Sequence, residues 1–450
     1  LFGIRLQGKA TAAVWHRRTG RSAIGARQLI LRPGSARVDK TNGEDDIMIG
    51  NQIGSAMVRR LLRIGGSAAL VAVVGTAWSG AVAAQKVNTR VLDSLETEIR
   101  RGDYGYIDRM LVIHRDKVLR DVEYRHDYDA IYGDSVNKKS ALNAGDPTGP
   151  YNYYNPWWHP FYRRGNLHSL QSVTKTVTSV IIGTAVFQGD FPSIDTPVLS
   201  FFDTTKVANI DDRKRRMTVK HLLTMSGGLD WNENLPYIDP RNDAVAMEAS
   251  RDWVEYTINL PMAREPGAEF NYSSGETELL AYIFRKATGT DIEEYAARHL
   301  FRPLGIEQWF WKRIPTGLID TEGGMFLEAR DLAKIWQLFL AGGEWQGTRL
   351  LSADWVKQSV TPHVRAANRA GAPFYGLKWW LHQNPADTTK LVWAGSGFGG
   401  QLPLAFPERD LVVVFNGWNI LPGGKALPQR RVMERLTAAV PETARTGKSK

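Results

Sequence analysis

The sequence predicts an α/β chain in which strands from both ends assemble into one unit, interrupted by a mostly helical middle. Three observations predict it. Two apolar runs around residue 109 read as a hairpin, strand candidates crowd the region after residue 375, and the stretch from about 190 to 320 carries helical periodicity with turn punctuation. The 450 residues and 43% hydrophobic content allow one large or two smaller globular units with a sizeable core.

The first 84 residues read differently. From Met57 the chain runs MVRRLLRIGGSAALVAVVGTAWSGAVAAQ: a basic start at Arg59, Arg60 and Arg63, an apolar run, then small residues before Gln85. Residues 57–84 are therefore expected to be a secretory signal peptide. A membrane anchor is the alternative, but Gly65, Gly66 and Gly75 interrupt the run, which falls short of the roughly 20 apolar residues a span needs. Residues 1–56 begin with Leu1, show no hydrophobic period, and are expected to be a non-native or mis-called upstream extension. Residues 85–450 carry 45 Lys/Arg against 43 Asp/Glu, a net of +2, so nothing in the charge calls for a nucleic-acid partner. The absence of cysteine excludes disulfides, thiolate metal sites and a cysteine nucleophile. Export points to a bacterial periplasmic or secreted location, with no stable membrane span after cleavage.

A short helix is expected at 92–101, followed by a hairpin over 109–124 joined at Arg115, Asp116 and Lys117. A polar loop follows over 132–150 and ends in YNYYNPWWHPFY (151–162), where seven of twelve residues are aromatic. Such a cluster packs a loop onto a core or lines a pocket. Helices are expected at 171–187, at 220–228 up to its glycines, at 276–287 closed by Thr288 and Gly289, at 292–300 and at 329–341. Strands are expected at 375–381, 391–394, 403–406 and 411–416. The expected organisation is a discontinuous α/β domain (85–189 with 325–440), a mostly helical domain (190–324) and a flexible tail (441–450).

The stretch QSVTKTVTSV, 171–180, places Ser172 three residues before Lys175 at the head of an apolar helix. A serine hydroxyl is a poor nucleophile until a base takes its proton, and residues three apart share a helix face. Lysine serves as that base when burial lowers its pKa. The same spacing at Ser135 and Lys138 lies in a polar loop with no apolar helix to desolvate the lysine, so context decides. Two further stretches supply it: EFNYSSGE (269–276), with Tyr272 just before a helix, and VWAGSGFGG (392–400), a Gly-rich strand end that lets backbone approach a ligand.

In that order, Ser172-Val-Thr-Lys175, Tyr272-Ser-Ser274 and Trp393-Ala-Gly395 resemble the three motifs of the serine hydrolases of the β-lactamase and penicillin-binding type. The class C-like branch, with its family VIII carboxylesterases and 6-aminohexanoate-oligomer hydrolases, is the nearest in pattern. HLLTMSGGL (221–229), EPGAEFNYSS (265–274) and EGGMFLEARDLAKI (322–335) also resemble it, over about 90–420. The resemblance implies an antiparallel sheet flanked by helices with a mostly helical insertion. It implies Ser172 as nucleophile, Lys175 and Tyr272 sharing proton transfer with the first base left open, and an oxyanion hole from the Ser172 and Ser396 amides. It implies no metal and no organic cofactor.

Two departures bear on substrate. Many members acting on β-lactams or peptidoglycan have a cation first in the third motif, where Trp393 stands, and class C β-lactamases usually have Asn where Ser274 stands. Both favour small-molecule esters or linear amides with neutral or amphiphilic acyl groups. Ser274, Trp393, Gly395, Trp157, Trp158 and Phe398, together with Tyr153, are the candidate substrate-binding residues. A β-lactamase or D-Ala-D-Ala carboxypeptidase is the alternative, and a penicillin-recognising sensor acylated once is the alternative outside catalysis. A Ser-His-Asp triad lacks its G-x-S-x-G elbow, although His168, four residues before Ser172, could face it if the helix began earlier, and none of the nine histidines forms H-E-x-x-H.

Overall fold

The computed structural model describes residues 86–143, 146–366, 374–421 and 423–442. The expected upstream extension, the expected signal peptide and residues 443–450 of the expected tail lie outside the described residues.

Helix α1 (Thr89–Arg100) buries Leu92, Leu95 and Ile99, spaced three and four apart on one face. It leads to strands β1 (Ile107–His114) and β2 (Lys117–Glu123), joined by Arg115 and Asp116 at φ 50° and 60°. Two successive left-handed residues match the right-handed twist of a tight hairpin. Helix α2 (Tyr128–Tyr132) opens the aromatic loop, and the short strand β3 (His168–Ser169) ends just before helix α3 (Val173–Gln188). Gly189, at φ 81°, stops α3.

The middle of the chain holds α4 (Asp212–Arg216), α5 (Val219–Leu223), α6 (Asp243–Glu248), α7 (Trp253–Ile258), α8 (Ser274–Thr288) and α9 (Ile292–Ala296). Each starts at a polar residue, Asp211, Thr218, Asn242, Asp252, Ser273 and Asp291, whose side chain accepts a hydrogen bond from a first-turn amide. Such caps satisfy otherwise orphaned donors and are worth about 1 kcal/mol each. Strands β4 (Phe310–Trp311) and β5 (Met325–Leu327) pair with β3 in a three-stranded sheet, order β3-β5-β4. Helix α10 (Ala329–Leu340), the hairpin β6 (Glu344–Trp345) and β7 (Thr348–Arg349), and helix α11 (Ala353–Ser359) follow.

The chain then returns to the main sheet as β8 (Val364–Arg365), β9 (Phe374–Tyr375), β10 (Trp380–Asn384), β11 (Asp387–Ala394), β12 (Leu402–Phe406) and β13 (Leu411–Gly417), and closes with helix α12 (Gln429–Ala439). The eight strands run β2-β1-β13-β12-β11-β10-β9-β8, every pair antiparallel. The two chain ends meet where β1 pairs with β13, Val112 opposite Val413. Strand β13 is buried throughout because both faces are covered: Val412 and Val414 pack with α3 and α10, Val413 and Phe415 with α1 and α12. The expected fold class, an antiparallel sheet flanked by helices with a helical insertion, is the one observed.

Local expectations differ in places. The single strand expected over 375–381 is two, β9 and β10, broken by a turn in which Lys378 takes φ 64°. The helix expected to run to the glycines at 227–228 ends at Leu223, because Met225 is left-handed at φ 56°. The helix at 292–300 widens after Ala296 into a π turn over Ala297–Phe301. Among the described residues no helix is long and apolar enough to cross a membrane.

Candidate active site

Strand β3 delivers the chain to Ser172 through a strained turn. Leu170 N bonds to Met325 O of β5 at 2.8 Å, and Gln171 then takes φ 46°, a left-handed conformation that β-carbons disfavour. Ser172 occupies the N-cap position of α3, but its side chain makes no capping bond. Its Oγ instead accepts a hydrogen bond from Lys175 Nζ at 3.1 Å. Lys175 lies one turn into α3 and is 1% exposed.

Lys175 Nζ has two more acceptors, both from Glu322: the backbone carbonyl at 2.7 Å and carboxylate Oε2 at 2.9 Å. The loop carrying Glu322 is stitched from three sides. Thr321 N donates to Glu278 Oε2 of α8, Gly323 N to Asp320 Oδ1, and Met325 N to Thr174 Oγ1 of α3. Burial pushes the Lys175 ammonium down, but the charges of Glu322, Tyr272 and Glu233 outweigh it and the net displacement is upward. The sequence-based condition for lysine as a base, a pKa lowered by burial, is therefore not met here, since Glu322 supplies a counter-charge.

A second tier of charge lies behind this pair. Glu322 is held below the usual carboxylate range; burial acts against this, and Lys175 acts for it most strongly. Glu248, at the end of α6, is pushed well above that range by burial and by the Glu322 charge, and its Oε1 accepts from Tyr153 at 2.8 Å. Asp320 faces Lys312 at 3.5 Å, and the Lys312 ammonium lies 4.2 Å from the Tyr151 ring centroid. The two carboxyls are thus displaced in opposite directions, Glu248 upward by burial and the Glu322 charge and Glu322 downward by Lys175 against the pull of burial.

Tyr272, 8% exposed, sits two residues before α8. Its ring centroid is 5.3 Å from Lys175 Nζ and 5.7 Å from Trp380, on which it stacks. Ser274 is 1% exposed, and both its amide and its hydroxyl donate to Glu233, at 2.8 and 2.9 Å. Glu233 also accepts from Trp231 Nε1 and Tyr237 Oη, so it anchors the start of α8. Beneath Tyr272, Met225 Sδ receives both Ser273 N and Lys378 Nζ. Burial lowers the Lys378 ammonium to about 7, and burial raises the nearby Glu276 carboxyl to about 8.

A narrow cavity of about 30 Å³ opens on Ser172, walled by Leu142, Tyr153, Tyr237, Val245, Phe398 and the Glu248–Glu322 pair among others. Of the candidate substrate-binding residues it brings Phe398 and Tyr153 to Ser172. Trp157 is exposed and does not line this cavity. Trp158 donates to Thr148 O and stacks toward Tyr162 and Phe310, also outside it. Trp393 packs on the core beside α10, with its carbonyl accepting from Trp336 Nε1. Gly395 does face α3: an added β-carbon would lie 3.2 Å from Val173 Cγ1 and 3.1 Å from Trp336. Its amide and that of Gly397 are committed to Pro403 O and Gln401 O, which puts Ser396 at the point where β11 passes the head of α3. His168 is engaged at both nitrogens, with Ser169 O and Asp108 Oδ2 at 2.9 Å each, so it does not serve Ser172.

Sequence reasoning missed Glu322, Glu248, Glu233 and Lys378. Glu322 carried one signal, a glutamate directly before Gly323 and Gly324 at the head of the stretch EGGMFLEARDLAKI. Among the described residues no cluster suits a metal ion.

Comparison with known proteins follows the same line. The family described as Beta-lactamase matches residues 157–427. The 6-aminohexanoate-dimer hydrolase of Paenarthrobacter ureafaciens is 25% identical over 276 residues, 56% of this chain and 68% of that protein. Among solved structures, EstCE1, described as a hydrolase with promiscuous acyltransferase activity, superposes with a TM-score of 0.58 at 14% identity over 77% of this chain and 97% of its own. A family VIII carboxylesterase does so with a TM-score of 0.54 at 16% identity, over 79% and 98%. At these identities the structural likeness speaks for the fold.

Proposed function

The chain belongs to the beta-lactamase family, and from that premise we propose that it is a serine hydrolase cleaving carboxylic ester or linear amide bonds through an acyl-enzyme on Ser172. The observation that carries this reading is the 3.1 Å contact of Lys175 Nζ with a serine oxygen free of capping duty, with Tyr272 across the ammonium. Ser172 Oγ attacks the carbonyl carbon as its proton leaves. The oxyanion is met by the amides of Ser172 and Ser396, and collapse expels a protonated alcohol or amine. Water then repeats the attack on the acyl-enzyme and returns the proton to Ser172.

The class C-like esterase and amidase branch is favoured over β-lactams. No lysine or arginine is among the cavity-lining residues, and the wall contains two glutamates, a poor surface for a substrate carboxylate. The relative acting on a 6-aminohexanoate dimer is consistent with a linear amide. The proposed location is periplasmic or secreted, on the reading of residues 57–84. The test is multiple-turnover release of p-nitrophenol from p-nitrophenyl butyrate by the full chain and by Ser172→Ala. Sustained turnover lost in the variant is expected. A single equivalent of product would indicate the sensor, and equal rates would remove Ser172 from the chemistry.

A further inference from the structure

The turn 395–401, which carries Ser396, is tied to the main sheet through one side chain. Gln401 is 1% exposed. Its Nε2 donates to Gly417 O of β13 at 2.5 Å and to Phe398 O at 3.4 Å, and its Oε1 accepts from Asn416 Nδ2 at 3.1 Å. Its backbone closes the turn: Gly397 N donates to Gln401 O at 2.9 Å, and Gln401 N to Gly397 O at 3.2 Å. Gly399 and Gly400 lie between at φ 89° and 114°, a region that glycine takes without steric cost. Such a turn has little stiffness of its own, so its place depends on what holds its ends.

Two amides stay uncommitted where this turn meets the head of α3. Gly395 N and Gly397 N are bonded, whereas neither Ser396 N nor Ser172 N donates to an acceptor among the described residues. Gly397 sets the gap between the two turns. A β-carbon there would lie 2.5 Å from Leu170 O, two residues before Ser172, and 2.9 Å from Gln401 Cβ. The turn of Ser396 therefore rests on the turn that presents Ser172, with no room for a methyl group between them. A pair of amides stabilises a developing oxyanion only when both lie about 2.7–3.1 Å from the place where the charge appears, so that gap matters to the chemistry.

Resting on the proposed serine-hydrolase reading, we propose that Gln401 is a positioning residue: by tying the 395–401 turn to Asn416 and Gly417 of β13, it holds Gly397 against Leu170 O and so fixes the Ser396 amide at oxyanion distance from the Ser172 amide. As the Ser172 Oγ–carbon bond forms, the carbonyl π pair moves onto oxygen and the two amides receive that charge. When the bond to the leaving group breaks, the pair returns to the carbonyl. Gln401 touches neither the carbonyl nor the nucleophile. Of the residues lining the cavity at Ser172, only Phe398 belongs to this turn. Loosening the turn therefore leaves ground-state binding largely in place and removes an interaction made in the transition state.

The test compares the full chain with two variants that disturb the same gap from opposite sides. Gln401→Met keeps the side-chain length without its hydrogen bonds, and Gly397→Ala wedges the two turns apart. Gly343→Ala, whose methyl would meet Leu351 O at 2.5 Å in a turn outside the cavity, controls for general loosening. Circular dichroism verifies folding, and kcat and KM are measured with p-nitrophenyl butyrate. Ki is measured with butylboronic acid, whose boron takes an electron pair from Ser172 Oγ, as the hydroxyl proton leaves, to give a tetrahedral anion. The expected result is a fall in kcat of about 100-fold for Gln401→Met and Gly397→Ala with KM within about threefold, the scale of one lost oxyanion donor. Ki should rise in proportion to the fall in kcat/KM, because the tetrahedral adduct uses the same two amides. Gly343→Ala should keep kcat, KM and Ki within about twofold of native. If Gln401→Met does not fold, Gly397→Ala carries the comparison. Native kcat in either folded variant, a loss of kcat without a matching rise in Ki, or an equal loss in Gly343→Ala would each overturn the proposal. The Ser172→Ala control separates the two levels: activity independent of Ser172 defeats the hydrolase reading itself, whereas Ser172-dependent activity indifferent to Gln401 and Gly397 defeats only this inference.

Discussion

Replacing Lys378 by methionine should stabilise the protein, and by an amount that depends on pH. Lys378 is 1% exposed, its ammonium meets only a thioether at hydrogen-bond distance among the described contacts, and burial brings it to about 7 from an ordinary 10.5. A tenfold displacement of a proton equilibrium is worth about 1.4 kcal/mol, so the fold bears a penalty of about 5 kcal/mol wherever both folded and unfolded chains are protonated. Between about 7 and 10.5 the unfolded chain binds one more proton than the folded one, so native stability rises with pH across that window and the penalty is gone above it. Methionine matches the side-chain length without the charge and leaves the φ of 64° unchanged, so backbone strain cancels in the comparison. Urea unfolding at pH 6, 8 and 10, with unchanged m-values, should show Lys378→Met more stable by about 5 kcal/mol at pH 6. The difference should shrink steadily toward pH 10. Glu276, at about 8, reinforces the trend, since loss of the Lys378 charge keeps it protonated to higher pH. A difference that is constant from pH 6 to 10 would refute the reasoning.

Gly183→Ala should destabilise, against the usual gain of about 0.5–1 kcal/mol for alanine in a helix interior, because the new methyl enters the Trp355 indole of α11; thermal unfolding should register a loss of about 1–3 kcal/mol. Glu233→Ala leaves the donors of Trp231, Tyr237 and both groups of Ser274 without their acceptor, so chemical denaturation should show at least about 3 kcal/mol of lost stability, and a loss under about 1 kcal/mol would mean water replaces the carboxylate.

The sequence made legible what is local. The hairpin at Arg115 and Asp116, the helix expected at 171–187 and found as α3 (Val173–Gln188), and the Ser172–Lys175 spacing each depend on a few neighbouring residues, so period and turn chemistry suffice to find them. The strand expected over 375–381 failed for a long-range reason. Gly376 lies against the Ser359 carbonyl, and Lys378 bonds through its amide to Leu223 O and accepts from Thr176 at its carbonyl, so the chain must turn there. Trp157 and Trp158 shared an aromatic cluster with Tyr153, yet only Tyr153 reaches the cavity, since no local pattern records which face of an irregular loop turns inward.

The least legible feature is the charge state around the proposed nucleophile. Ser172 and Lys175 lie three residues apart, but the group that decides whether Lys175 is an acid or a base stands 147 residues away in sequence. Burial alone, which a helical apolar pattern does reveal, drives lysine toward neutrality, as at Lys378. The same burial with a carboxylate at 2.9 Å drives it the other way, as at Lys175. Lys175 and Lys378, each 1% exposed, are thus displaced in opposite directions. What separates them is the partner brought by the turn before β5, so the charge state of the lysine in this Ser-x-x-Lys stretch depends on a glutamate that the stretch does not contain.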